Sequence, residues 1–122
     1  MKNKIKKPWG YEEIWAKSHS KSGYVGKMLL INAGHQLSFQ YHEEKEETIM
    51  VKSGILYLHT KGMFNDMGDL KIIKLVPGDT FHVPPGLTHR FAANESYVEL
   101  IEVSTHQLDD VIRIEDDYGR QA

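Results

Sequence analysis

Frequent turn signals constrain this chain more than any other feature. Its apolar, β-branched and aromatic stretches are short. They fall at residues 24–31, 36–41, 48–51, 55–59, 71–76, 80–83, 89–92 and 97–104. Between them lie Asn32-Ala33-Gly34, Ser53-Gly54, a polar Gly-containing run at 62–68, Pro77-Gly78-Asp79 and Pro84-Pro85-Gly86. Each punctuator stops a strand before it can lengthen. Eight or so short strands at this spacing predict an all-β sandwich or barrel. A 3.6-residue apolar period is weak throughout, so at most one short helical turn is expected, near 106–112. Residues 63–69 read as a hairpin loop.

The 122 residues are material for one domain and one core. Fifteen Lys and Arg against seventeen Asp and Glu leave a net charge of −2. That balance offers no basic footprint for nucleic acid. No apolar run approaches a membrane span. Residues 1–7 are basic with no apolar stretch behind them, so they read as a solvated arm rather than an export signal. The cytoplasm is the expected compartment. With no cysteine there is no disulfide, no thiolate metal site and no thiol nucleophile. A metal would need nitrogen and oxygen ligands, and seven histidines are the compositional excess to follow.

Gln40 and His42 are two apart in a strand-like run, which puts both side chains on one face. Glu47 falls on the opposite parity, so a turn or bulge across 43–46 is needed to bring it back. On parity alone Glu46 would serve equally. His89 opens a later strand after Pro84-Pro85-Gly86. Two imidazoles, a carboxylate and an amide oxygen suit zinc first, and manganese, iron, cobalt or nickel as well, with positions left for substrate.

Two longer patterns give these residues a context. Gly34-x5-Gln40-x-His42-x4-Glu47-x6-Gly54 resembles the first cupin motif, with Gln in place of its first His. Gly78-x5-Pro84-x-Gly86-x2-His89 resembles the second, although Ala93 stands where that motif closes on Asn. The resemblance implies a single cupin barrel, a double-stranded β-helix or jelly roll with a metal inside. Lys7-Pro8-Trp9-Gly10-Tyr11, Leu37-Ser38-Phe39-Gln40-Tyr41-His42, His89-Arg90 and the tail at 108–120 further resemble the C-terminal isomerase domain of type II phosphomannose isomerases. The chain is expected to be that domain standing alone, since no Gly-rich nucleotide loop accompanies it. The resemblance implies one divalent metal held by Gln40, His42, Glu47 and His89, and it selects Glu47 over Glu46.

The family carries an arginine two residues before the ligand Glu; here Lys45 keeps the charge and loses the bidentate fork. Arg113 and Arg120 match the arginines of the family tail and are candidates to hold a sugar phosphate. Candidates for the proton-moving group are Lys45, His82 and Glu99, in that order. Arg90 reads as structural, and His19, His35, His59 and His106 as surface residues. Trp9, Tyr11 and Trp15 read as packing from an N-terminal strand against the barrel or a second copy, and a homodimer is expected. The leading expectation is a metal-dependent aldose–ketose isomerase converting mannose 6-phosphate to fructose 6-phosphate. The alternative is a non-catalytic, metal-containing sugar-binding cupin. A third reading, a non-haem iron dioxygenase, follows from the two-histidine, one-carboxylate set.

Overall fold

The computed structural model describes residues 3–64, 66 and 68–120. Eleven strands follow one another: β1 (Asn3–Lys7), β2 (Gly10–Lys17), β3 (Tyr24–Ile31), β4 (Phe39–Tyr41), β5 (Glu47–Ser53), β6 (Leu56–Met63), β7 (Lys71–Leu75), β8 (Thr80–Val83), β9 (Leu87–Ala93), β10 (Val98–Thr105) and β11 (Ile112–Glu115). They pair antiparallel in two sheets, β1-β2-β3-β10-β5-β8 and β11-β4-β9-β6-β7. This is the all-β architecture expected from the turn spacing, arranged as the cupin barrel that the motif resemblance implies. No described residue is helical, and 108–112 is a turn running into β11.

The strands follow their side chains. Along β3 the inward phase is Val25, Lys27, Leu29 and Ile31, all buried. Along β10 it is Val98, Leu100, Glu102 and Ser104. Ile31, Ile49, Leu56, Leu58, Phe91, Val98 and Leu100 meet between the sheets and form most of the core. Burying such side chains supplies the main driving force for folding. Gly54 shows why one motif glycine is required. It sits at φ 78°, and a Cβ there would lie 2.3 Å from the Tyr97 carbonyl oxygen.

Two sequence readings change. The basic segment is not a free arm: Asn3–Lys7 is a strand whose whole length pairs with β2. Lys4 and Lys6 still face water at the sheet edge, a position where charge discourages further pairing, whereas Lys7 is half-buried. Residues 1 and 2 of the expected arm lie outside the described residues. Second, β1 and β11 were not among the expected strands, because their polar side chains hide the alternation, and β2 was expected only as the N-terminal strand of Trp9, Tyr11 and Trp15, without bounds. The hairpin loop expected at 63–69 does join β6 to β7, with positions 65 and 67 outside the described residues.

Candidate metal centre

His42, Glu47 and His89 come together inside the barrel. They are only 2%, 3% and 1% exposed. One potential ligand atom from each lies within 4.8 Å of the others. His42 ends the β4 run, Glu47 opens β5 and His89 lies in β9, so both sheets contribute. The turn at 43–46 performs the parity change that the sequence required. It sends Glu46 outward and Glu47 inward. Gln40 stands directly across from His89 in the β4–β9 register, and Arg113 across from Gln40 in the β11–β4 register. Directly opposed residues share a face of the sheet. Gln40 Oε1 accepts a hydrogen bond from the buried Ser38 hydroxyl at 2.7 Å, which leaves its second lone pair for another partner.

Hydrogen bonds fix which nitrogen of each imidazole is available. His42 Nδ1 meets the Asp110 carbonyl at 2.5 Å and His89 Nδ1 meets the Leu87 carbonyl at 2.8 Å. A carbonyl only accepts, so both Nδ1 atoms carry the hydrogen and both Nε2 atoms present lone pairs. Neither Nε2 has a hydrogen-bond partner, nor does Glu47 Oε2, although all are buried. His42 Nε2 lies 3.1 Å from Glu47 Oε1. Two acceptors that close require a cation, either a proton or a metal. Orphaned buried acceptors of this kind are rare and costly. The set therefore fits a divalent ion, and the backbone carbonyls behind the imidazoles are the orienting contacts such a site uses. Burial pushes His89 toward its neutral form, below the usual histidine range. Burial alone would raise Glu47, but contact with His42 and the charge of Lys45 hold it well below the usual carboxylate range.

A cavity of about 340 Å³ opens beside the cluster. Gln40, His42 and Glu47 line it, with Lys45, Arg113 and Arg120. Lys45 is buried, its Nζ 3.6 Å from Glu47 Oε1 and 3.5 Å from Glu102 Oε2. Burial works against its charge, yet Glu102 and Glu47 overcome that and raise its pKa. Lys45 is thus a held ammonium. Burial and the adjacent Glu47 charge push the Glu102 pKa up as well, to about 8, which favours its neutral form. Arg120 forks onto Asp116 at 2.9 and 3.0 Å.

Sequence reasoning missed Glu102, Lys27 and Asp110. Glu102 and Lys27 sit on the inward, apolar phase of their strands, a readable signal of a buried charge with a purpose. Lys27 is held by Glu12 at 3.2 Å. Asp110 falls in the tail at 108–120 that carries the resemblance, but no role was read for it there.

Two candidate residues are not in this cavity. His82 faces outward from β8, its side chain 53% exposed, and pairs with Glu46 at 2.5 Å. It does not line the pocket, because β8 alternation turns Val83 inward instead. Glu99 faces outward from β10 and accepts from the Ser53 hydroxyl at 2.8 Å. Arg90 is a bracket: its Nε donates to the Leu37 carbonyl at 2.7 Å, and its guanidinium lies 4.4 Å from the Phe39 ring centre. His35 and His59 are half-buried, whereas His19 and His106 are exposed.

The sequence model of the "Mannose-6-phosphate isomerase C-terminal" family matches residues 1–116. The chain belongs to this family. Relatives include the xanthan biosynthesis protein XanB of Xanthomonas campestris pv. campestris, 30% identical over 96% of this chain and 24% of that protein. Another is the mannose-1-phosphate guanylyltransferase ManC of Salmonella typhimurium, 30% identical over 98% of this chain and 24% of that protein. The chain thus spans about a quarter of the length of these curated relatives. Among solved structures, the capsular polysaccharide assembling protein CapF of Staphylococcus aureus superposes with a TM-score of 0.81. It is 14% identical, over 94% of this chain and 34% of CapF. KdgF from Halomonas sp. superposes at 0.69 with 19% identity, over 88% and 89% of the two chains. These two likenesses establish the shared fold. No helix among the described residues is long and apolar enough to cross a membrane.

Proposed function

We propose that the chain binds one divalent metal at Gln40, His42, Glu47 and His89 and isomerises a sugar phosphate, with mannose 6-phosphate and fructose 6-phosphate as the pair. The observation that carries this reading is the set of buried, unpartnered acceptors on His42, Glu47 and His89 beside a cation-rich cavity. Lys7, Lys27, Lys45, Arg113 and Arg120 line that cavity against Glu12, Glu47, Glu102 and Asp109. With a divalent ion added, its balance is positive, which suits an anionic substrate. Zinc leads the candidates; manganese, iron, cobalt and nickel suit the same ligands.

When bound, the ion supplies Lewis-acid polarisation of adjacent substrate oxygens. The chain's residues do the rest. Arg113 and Arg120 hold the phosphate, and Asp116 braces Arg120 so that its remaining N–H groups are aimed. Lys45 donates from Nζ to a substrate oxygen as negative charge develops there. Glu102, 3.5 Å from Lys45, forms with it the pair that takes a proton from the hydroxyl-bearing carbon. The pair returns a proton, exchangeable with solvent while it is held there, to the former carbonyl carbon, and the hydroxyl proton passes to the former carbonyl oxygen, so no proton is gained or lost overall. Leu29, Leu37 and Phe91 line the apolar wall and limit water. Exposed Trp15, Met50 and Val103 on the six-stranded sheet support association of two copies.

The test is turnover of mannose 6-phosphate by protein loaded with each metal, run in heavy water. Fructose 6-phosphate carrying deuterium at the former carbonyl carbon supports the isomerase. Saturable binding without turnover assigns a sugar-binding module, and oxygen consumption with iron assigns a dioxygenase.

A further inference from the structure

The turn between His42 and Glu47 has an unusual support. Its backbone N–H groups point out of the turn and onto another segment. Those of Glu43, Glu44 and Lys45 donate to the Asp110 carboxylate at 3.0, 2.7 and 2.9 Å. The next, on Glu46, donates to the Thr105 hydroxyl at 3.0 Å. Three successive N–H groups converging on one carboxylate form an anion-binding nest, filled here by a side chain from 65–67 residues away. The backbone carbonyl of the same residue receives His42 Nδ1. Asp110 therefore touches the ligand-bearing segment with both its side chain and its main chain.

We infer that Asp110 is a positioning residue for the metal centre, fixing the turn that sets His42 and Glu47 at ligating distance. The inference rests on the metal-binding reading above but names a residue outside the ligand set. The turn needs an external clamp for a physical reason. It carries Glu43, Glu44, Glu46 and Glu47 in a row around Lys45, so mutual repulsion favours opening it. It also reverses strand parity, and any relaxation would rotate Glu47 away from the histidines. Asp110 overcomes the repulsion because its oxygens meet N–H dipoles rather than the outward-facing carboxylates. Asp110 lies two residues before β11, which carries Arg113, so one tail segment supports the ligands and supplies a cavity cation.

The test is the affinity of the metal-free full chain for Co²⁺ alone, followed by visible absorption at a temperature well below unfolding. Asp110→Asn keeps the shape but replaces an acceptor by a donor facing N–H groups. It is expected to weaken Co²⁺ binding roughly tenfold to hundredfold, as loss of an orienting contact does, and to alter the absorption band. Asp110→Glu, which keeps the charge one methylene further out, is expected to fall between Asn and wild type. Asp79→Asn is the control. Its carboxylate also accepts a backbone N–H, from Val76 at 2.9 Å, in a turn that does not line the cavity. It should leave Co²⁺ affinity unchanged. Wild-type affinity in both Asp110 variants overturns the inference, whatever their melting temperatures. If the Asn variant fails to fold, the Glu variant decides: lowered affinity with a shifted band supports positioning, and unchanged affinity overturns it. Wild-type protein that binds no Co²⁺ overturns the metal reading itself, a distinguishable result.

Discussion

Replacing Lys45 by Met probes the buried charge chain Glu47–Lys45–Glu102. Met matches the length of the lysine stem and removes only the ammonium. Each carboxylate now lies about 3.5 Å from Nζ. At an effective dielectric of about 20, a pair at that distance is worth roughly 4–5 kcal/mol before desolvation. Glu102, pushed up to about 8, is mostly protonated at neutral pH, so Glu47 supplies the main attraction. The substitution also removes the desolvation cost of the ammonium itself, so the gross attraction overstates the loss. Removing one partner of a buried ion pair costs about 3–5 kcal/mol net, because the remaining charge is stranded. Against a total stability of roughly 5–15 kcal/mol, this is a large fraction. Urea unfolding of the metal-free protein in EDTA, at neutral pH, reads it as a drop in midpoint at unchanged slope. Adding Glu102→Leu should recover little of the loss, because Glu102, pushed up to about 8, is mostly protonated at neutral pH and the stranded charge is that of Glu47. A single variant within 1 kcal/mol of wild type would refute the reading that Lys45 is the neutralising cation of this cluster.

Other outcomes follow from the same geometry. His42→Ala or His89→Ala should remove most bound metal, read by elemental analysis, and EDTA should lower the melting temperature of wild type but not of the double variant. At a metal concentration a hundred times the dissociation constant, the shift corresponds to about 2.7 kcal/mol. Arg113→Ala or Arg120→Ala should weaken sugar-phosphate binding roughly tenfold to hundredfold, the loss of a charge-assisted contact of about 1.5–3 kcal/mol, with metal content unchanged. Acid should loosen the tail first. Arg120 holds the Asp116 carboxyl below its ordinary range, and the N–H groups of Glu44, Glu43 and Lys45 outweigh burial to do the same for Asp110. Both contributions are present above the ordinary aspartate pKa and are lost as pH falls through the lower folded values. Fluorescence melts from pH 6 downward should show a steeper loss in wild type than in Asp116→Asn.

Turn chemistry and strand chemistry were legible in different degrees. β3 and β8 have the bounds that their side-chain alternation predicts. β2 was expected as an N-terminal strand but without bounds, because Glu12 and Glu13 interrupt its apolar phase, and β1 was hidden because a lysine-rich edge reads like a tail. At the site, the period of two placed Gln40 and His42 on one face, and the motif resemblance preferred Glu47 to Glu46. His82 misled because it shortly precedes the Pro84-x-Gly86-x2-His89 run, while strand alternation buries Val83 and turns the imidazole to solvent.

The sequence by itself determined the class of fold and the chemical character of the ligands. Short β-rich runs cut by Gly and Pro cannot become a helical bundle, and a cysteine-free chain must use nitrogen and oxygen. Those are local properties, set by backbone sterics and side-chain chemistry. Only the tertiary structure decided how the site is built. The Glu102 carboxyl beside Lys45, the Asp110 clamp on the ligand turn and the outward face of His82 join residues far apart in the chain. Their contacts exist because two sheets close on one core. Burial then turns Lys45, Glu47 and Glu102 from ordinary surface charges into a coupled set.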